Sequence, residues 1–298
     1  MVTRPLAVTL GLVADQLLGE PPLRPHPVAL LGTALQHVER ALYADARLPG
    51  AVHAAAGVAL GAGAGVALRS TAIGTYLSVA GRALAEAARA VDNALATDDL
   101  ARARSLLPAL VGRDSYHLDS GEISRAVVES VAENTVDAVV APALWAVIAA
   151  TPGALAHRAI NTMDAMIGHR DDRYRRYGWA AARLDDAAAW VPARVTALLV
   201  ASCRPAAAMR VLRTVRHDAA AHPSPNAGVA EAAFAAALGL RLGGRNYYHG
   251  LPQDRPLLGD GCTPRRGDIA RAVRLSRDVT ITLAALLATA GLVRTVRQ

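Results

Sequence analysis

The sequence has no lysine: all 32 residues in the Lys-plus-Arg total are arginine. That excludes a Walker A loop, whose lysine reaches the outer phosphates of a nucleotide, and any Schiff-base lysine. A nucleotide bound here is held by arginine, backbone amides and metal. Aromatic residues make up only 4% of the chain, with a single phenylalanine. The apolar content is therefore mostly Ala, Val and Leu, which favours long helices over sheets. The two cysteines, Cys203 and Cys262, stand far apart and in no metal-ligand spacing. They read as free thiols compatible with a reducing compartment. Charge is scarce as well, at 19% of residues against 53% hydrophobic, with a mean hydropathy of +0.24. Such a chain is more apolar than an ordinary soluble domain. The expectation is an all-α, polytopic integral membrane protein with about four to five apolar helices and helical polar connections.

The net charge is +7 and the pI about 10.1. The arginines are interspersed with acids and no aromatic-interleaved basic stripe occurs, so nucleic acid is not the expected partner. Anionic lipid headgroups or phosphorylated substrates suit the pattern better. No internal repeat appears, and residues 1–298 read as a single membrane domain. The first residues resemble a signal peptide but lack a small-x-small cleavage site, and Asp15 interrupts the apolar run. An uncleaved apolar helix over 5–18 is expected, stopped by Gly19-Glu20-Pro21-Pro22.

The most informative stretch is EISRAVVESVAENTVDAVVAPALWAVIAA, residues 122–150. Its first half is polar and its second half apolar enough to enter a membrane. Asp119 and Glu122 have the spacing of a capping box that starts the helix. Glu129, Glu133 and Asp137 recur every four residues, one stripe on a helix. Like charges so spaced repel by roughly 0.2–0.5 kcal/mol per pair. An Asp at mid-bilayer costs about 2.5–3.5 kcal/mol on insertion scales. A metal or an arginine is expected to offset this. The plainer reading is a solvated face satisfied by Arg125, one turn before Glu129.

Elsewhere, Pro25 and Pro27 fix His26 on a stiff turn. Residues 51–68 form the clearest membrane candidate, and Gly57, Gly61 and Gly65 make a small-residue ridge for close helix packing. An amphipathic helix is expected over 72–96, a second over 206–221 and a final apolar helix over 279–293. Residues 251–267, rich in Pro, Gly and charge, read as a surface loop. Gly112-Arg113-Asp114 is a tight charged element, and RDDRYRR reads as a juxtamembrane or phosphate-facing loop. Asp185-Asp186 suits a hard cation such as Mg²⁺, with helix N-capping as the plain alternative. Ser224 or Asn226 at the start of an Ala-rich helix makes an anion site.

In order along the chain, DQLLGEPPLRPHPVALLG, GRDSYHLD, AVVESVAENTVDAVVAPALW, INTMDAMIGHR, AARLDDAAAWVPAR and SPNAG resemble the CobD/CbiB family of cobalamin-biosynthesis ligases, the adenosylcobinamide-phosphate synthases. The resemblance runs from about residue 11 to 250. Three departures accompany it. Ala165 stands where a hydroxyl residue is usual, His169-Arg170 where a Tyr-Lys pair is usual, and AAAW replaces an asparagine before PAR. The resemblance implies a multi-pass enzyme of the cell membrane with its site facing the cytoplasm. It would join adenosylcobyric acid to (R)-1-aminopropan-2-ol or its O-phosphate through an amide, using ATP and Mg²⁺ and no prosthetic group. Its partners would be the corrinoid, aminopropanol phosphate, the lipid bilayer and other membrane enzymes of the pathway.

The chemistry suggests roles for the residues singled out. Asp185 and Asp186, with Asp137, are assigned to Mg²⁺. Arg113, Arg183 and Arg194 are assigned to phosphate groups, with Arg170 as a planar fork for phosphate. Glu129 or Glu133 takes the proton of the attacking ammonium. Asn134, Asn161 and Asn226 orient oxygens. Asp164 joins the catalytic set, while His26, Asp114 and Ser224 join the binding set. A water-filled cavity lined by the acidic stripe and the Asp pair would reconcile these polar groups with membrane depth. Two other readings compete: a transporter or sensor using intramembrane carboxylates, and a scaffold in which acids and arginines merely pair.

Overall fold

The computed structural model describes residues 2–21, 23–169, 171–248 and 250–297. In chain order the helices are α1 (Arg4–Leu18), α2 (Pro27–Leu42), α3 (Arg47–Leu68), α4 (Thr71–Ser78), α5 (Gly81–Ala96), α6 (Leu100–Leu106), α7 (Ser120–Thr135) and α8 (Ala141–Ile167). They continue as α9 (Tyr174–Tyr177), α10 (Trp179–Ala188), α11 (Trp190–Cys203), α12 (Ala208–Asp218) and α13 (Ala227–Leu238). A hairpin of β1 (Leu242–Tyr248) and β2 (Leu251–Leu258) precedes α14 (Arg266–Val296). The protein is thus all-α with one two-stranded exception. Among the described residues, three helices are long and apolar enough to cross a membrane: Arg47–Leu68, Ser120–Ile167 and Arg266–Val296. A bent pair, Trp179–Cys203 with Pro205–Ala221, raises the number to four if it forms one span. Only 28% and 22% of the apolar windows of α3 and α14 are buried in protein, so most of their apolar surface faces outward, as lipid-exposed helices require. This is a polytopic membrane protein.

The chain divides into two compact units, Met1–Ala80 with Asp137–Pro192 and Ala284–Gln298, and Gly81–Val136 with Ala193–Leu283. The first is held by small residues. Gly57, Gly61 and Gly65 of α3 lie against Met163, Leu155–Ala156 and Thr151–Pro152 of α8, the ridge expected from the sequence. A Cβ at Gly61 or Gly65 would run into α8 backbone. Helix α8 is broken at Ala149 and Ala150, where Ala150 takes φ 54° and ψ −148°. Pro152 explains the break, since its ring clashes with the carbonyl four residues back and it supplies no N–H. That carbonyl belongs to Ile148, and Arg4 Nη1 donates to it at 3.2 Å. Toward the C-terminal end of α8, Leu35, Met163, Ile167, Tyr177 and Ala181 form a closed core. Tyr177 Oη and His53 Nδ1 are 2.8 Å apart within the unit.

In the second unit α7 starts with the expected capping box. Asp119 Oδ1 accepts the Glu122 N–H at 2.8 Å and Glu122 Oε2 accepts the Asp119 N–H at 2.9 Å. Every residue from Ile123 to Ala132 is buried, as is nearly all of α13. A helix apolar all round belongs in a core, which makes Glu231, the one charged residue of α13, conspicuous. Beyond α7, Val136–Val140 are wound as a π-helix, so Asp137 does not extend the Glu129–Glu133 stripe at regular α spacing.

Three elements differ from the sequence expectation. The run expected over 72–96 is two helices, α4 and α5, parted at Val79–Ala80. The final helix begins at Arg266, because its first turns carry arginines that hid it from an apolar-run search. Residues 251–258 are strand β2 rather than loop, pairing antiparallel with β1. Pro252 and Pro256 are tolerated because β2 has only one neighbour.

Candidate functional site

The second unit carries a buried ion cluster built on α7. Glu129 Oε2 accepts from Arg113 Nη2. Its Oε1 accepts from Arg125 Nη1 at 3.2 Å and from the Gly243 N–H at 2.8 Å. Arg125, one helical turn before Glu129, also donates to the Gly243 and Arg245 carbonyls at 2.7 and 2.8 Å. Arg113 Nη1 donates to Asn246 Oδ1 at 2.6 Å. Burial works against the Arg113 cation, but the Glu129 carboxylate, through charge and hydrogen bond, outweighs it and raises the guanidinium pKa. Asp114 reaches the same hairpin through its backbone N–H to the Tyr247 carbonyl at 2.9 Å. Its Oδ2 accepts the Gly250 N–H at 2.7 Å. The GRD element thus clamps β1 onto α7. Arg125 satisfies Glu129 as the plainer sequence reading held, but inside the protein rather than on a solvated face.

Beside this cluster lies a polar cavity of about 240 Å³. Glu129, Ser130 and Glu133 of α7 form one wall, with Arg113 next to them. His222, Ser224 and Glu231 form another, and Asn246, Tyr248 and Arg255 of the hairpin close it. Asn134 stands one turn beyond Ser130, donating to its carbonyl at 2.9 Å, while Ser130 Oγ donates to the Leu110 carbonyl at 2.7 Å. Ser224 Oγ accepts the Asn226 and Ala227 N–H groups at 3.3 and 3.1 Å, capping α13 as expected. Asn226 is buried and its Oδ1 accepts from Arg194 Nη1 at 2.9 Å.

Among the polar cavity residues, Ser130, His222, Glu231, Asn246, Tyr248 and Arg255 escaped the sequence reading as site groups. Glu231 is 8% exposed and makes no hydrogen bond among the described residues. It faces His222, whose Nε2 lies 3.9 Å from Glu231 Oε1. Burial, reinforced by Glu129 and Glu133 and opposed by Arg113 and Arg255, pushes its carboxyl pKa well up. Burial lowers the His222 pKa, although its Nδ1 sits 3.1 Å from the Ser224 carbonyl. Arg255 lies over the Tyr248 ring at 5.7 Å and within electrostatic reach of Glu231 and His222. A lone Glu in GVAEAAFAAAL was the available signal for Glu231.

The remaining candidates fall in the first unit. His26 caps α2, its Nδ1 accepting the Val28 N–H at 3.3 Å. Asn161 and Asp164 lie on α8, half-buried, and Asp185 and Asp186 on α10, which packs against α8. Asp164 is within electrostatic reach of Asp186 and His169. Arg183 Nη1 is 3.8 Å from Asp186 Oδ2. Asp137 is within reach of the buried Arg158 guanidinium. Arg170 lies outside the described residues. The structure therefore gathers Asp164 with Asp186 in one unit, and Arg113, Glu129, Glu133 and Ser224 in the other.

The sequence profile of the CobD/Cbib protein family matches residues 8–276. The chain is 48% identical to the cobalamin biosynthesis protein CobD of Mycobacterium tuberculosis (strain ATCC 25618 / H37Rv), over 93% of this chain and 92% of that protein. It is 40% identical to CobD of Geobacter metallireducens over 86% and 87% of the two chains. It is 37% identical to the cobalamin biosynthesis protein CbiB of Salmonella typhimurium over 95% and 96%. No solved structure matches it. The profile spans both units, from α1 to α14, and takes in every residue of the cavity wall together with Asp164 and Asp186: this chain belongs to the CobD/CbiB family.

Proposed function

We propose that this chain is a membrane ligase of cobalamin biosynthesis that joins adenosylcobyric acid to (R)-1-aminopropan-2-ol or its O-phosphate in an ATP-driven reaction. The observation that carries this reading is the family match from residue 8 to 276, with relatives called cobalamin biosynthesis proteins along nearly their whole length. The charge arrangement supports it. A carboxylate is a poor electrophile and an ammonium has no lone pair, so the two do not condense in water. ATP transfers a phosphoryl or adenylyl group to a carboxylate oxygen, releasing ADP or pyrophosphate. The amine nitrogen then attacks the acyl carbon, the C–N bond forms, and the C–O bond to phosphate or AMP breaks.

The nitrogen gives up one proton before attack and a second as the adduct collapses. Glu133 and Glu231 face the cavity and are suited to accept protons. Glu129 has both oxygens engaged by Arg113, Arg125 and Gly243, so it fixes the arginines instead. Arg113 faces the same cavity and reinforces its positive side.

Asp164, Asp185 and Asp186 offer hard oxygen donors that fit Mg²⁺, which is commonly bound by one or two carboxylates together with substrate phosphates. Among the described residues no group of three or more His, Cys, Asp or Glu is placed to hold a metal ion. Mg²⁺ supplies neutralisation of phosphate charge. The chemistry faces the cytoplasm at the cell membrane, where ATP and the corrinoid are found. The test uses full-length protein in detergent with adenosylcobyric acid, ATP, Mg²⁺ and either amine, following the corrinoid by mass spectrometry. A product heavier by the amine residue, formed only with ATP, is expected. No product with either amine from folded protein refutes the ligase and directs attention to ion flux in vesicles.

A further inference from the structure

Helix α14 carries the mark of a membrane boundary. Residues 266–278 hold four arginines and two aspartates, and the next charged residue is Arg294. Past Asp278 the outward side chains turn apolar, with Ile281 and Leu286 both exposed. A spanning helix changes from charged to apolar where the hydrocarbon begins, which puts the boundary at about the level of Asp278. The C-terminus of α11 is tied to that level. Arg204 Nη2 donates to Asp278 Oδ2 at 2.8 Å, and Cys203 Sγ lies 3.3 Å from Thr282 Oγ1. There the apolar arm Trp179–Cys203 ends and the chain turns through 113° into Pro205–Ala221. Helix α12 therefore starts at the boundary and runs across the direction of the apolar arm.

The two sides of α12 differ in chemistry. One faces the protein: Val211 is fully buried, and Asp218 Oδ2 accepts the Gly259 N–H at 2.8 Å. At its flank Arg210 Nε donates to the Ala236 carbonyl of α13 at 2.9 Å. The other side presents Met209, Leu212, Arg213 and Arg216, spaced i, i+3, i+4 and i+7 on one helix face, all exposed. Met209 is 66% exposed. Arg213 Nε donates to the Met209 carbonyl at 3.3 Å, and neither Arg213 nor Arg216 forms an ion pair among the described residues. Three arginines in one short helix oppose insertion across the hydrocarbon. Apolar side chains beside arginines at its edge suit a helix lying in the interface, with the apolar groups down and the guanidinium groups among phosphates. The face carries no acid, so its charge selects anionic headgroups over zwitterionic ones.

We propose that α12 is an interfacial helix seated on anionic lipid, with Met209 and Leu212 at the acyl boundary and Arg213 and Arg216 on headgroup phosphates. The proposal is independent of the ligase chemistry. Because α13 packs on the protein side of α12, the cavity that Glu231 lines stands on the water side of the headgroups.

The test uses the full-length protein in nanodiscs of phosphatidylcholine, with and without one-third phosphatidylglycerol. Met209→Cys and Leu212→Cys, each combined with Cys203→Ser and Cys262→Ser, carry a nitroxide. Its collisions with oxygen and with a water-soluble nickel chelate report depth. Both labels are expected to meet oxygen and to be shielded from nickel. In unlabelled protein, hydrogen exchange of peptides from 205–218 should slow by about 10- to 30-fold when phosphatidylglycerol is present, as two arginines at an anionic surface allow. Arg213→Gln with Arg216→Gln should abolish that lipid dependence, and the corresponding Lys pair should keep most of it. All four side chains are exposed, so these variants fold.

Labels reached freely by nickel overturn the proposal and leave the face to a protein partner. Slowing that persists in the Gln pair overturns the role of the two arginines. Equal slowing by inorganic phosphate in phosphatidylcholine alone overturns the lipid occupant in favour of a free-anion site.

Discussion

Glu129→Gln isolates the buried cluster with little change in shape. In the wild type the Glu129 side chain is 7% exposed, that of Arg113 6% and that of Arg125 10%, so solvent screens none of the three effectively. The substitution keeps one acceptor for the Gly243 N–H but turns an amide N–H₂ toward an arginine, and takes from two buried guanidinium groups the carboxylate they share. Breaking a buried pair by removing one partner costs about 3–5 kcal/mol. Because Arg125 and Glu129 together hold β1 to α7, that loss falls on the local opening of the hairpin. The exchange of Gly243 and its neighbours should accelerate by about 100- to 4,000-fold. Hydrogen exchange on peptides covering 242–248 reads this directly, and it does not require the whole membrane protein to unfold in two states.

The internal control is Asp254→Asn. It removes the Arg245–Asp254 pair of the same hairpin, whose side chains are 62% and 72% exposed. Solvent screens such an exposed pair, so exchange should rise less than about 5-fold. Equal protection in Glu129→Gln and Asp254→Asn would refute the clamp.

Further outcomes follow from single contacts. Asp119→Ala removes the capping box of α7 and should destabilise the protein by about 0.5–2 kcal/mol, read as a lower unfolding midpoint that Asp119→Asn largely recovers. Gly65→Ala should destabilise, because its Cβ would meet Pro152 backbone, whereas Gly63→Ala on the open side of the same helix should be neutral or stabilising by up to about 1 kcal/mol. Opposite signs for the two are the result to look for. Glu231 carries a raised pKa, so the folded state holds its proton longer than the unfolded chain. Wild-type stability should therefore fall as pH rises from the ordinary carboxyl range toward that raised value. Glu231→Gln removes this slope, and its advantage in a thermal melt should grow with pH through the window. A constant difference at all pH values would show that Glu231 has no raised pKa.

What could be read from the sequence was what is local along a helix. The capping box at Asp119 and Glu122, the glycine ridge of α3 and the Arg125–Glu129 pair each involve residues three or four apart, where helix geometry alone decides the contact. The glycine ridge needed only a partner helix, and α8 supplies it. The hairpin was hidden for the complementary reason. Pro252, Pro256, Arg255 and Asp254 break every alternation that marks a strand, and β2 exists because α7 and the GRD element hold its neighbour β1 in place. The break in α8 sits at a Pro-Gly pair visible in the sequence, but its stabilisation by Arg4, 144 residues earlier, was not.

The acidic residues show how burial sorts groups that look alike in sequence. Glu129 and Glu133 are one turn apart, yet Glu129 is buried among arginines while Glu133 is exposed at the cavity wall. The first organises structure and the second faces the cavity. Spacing cannot make that distinction, because the cations that claim Glu129 come from outside the helix as well as within it. Arg113 lies 16 residues before Glu129, and the Gly243 N–H 114 residues after it. Glu231 presents the reverse case. A single acid in an Ala-rich helix reads as a solvated position, whereas α13 is buried all round and delivers that carboxyl into a cavity. A carboxyl placed there without a protein donor is stable only if its charge is suppressed or a ligand answers it.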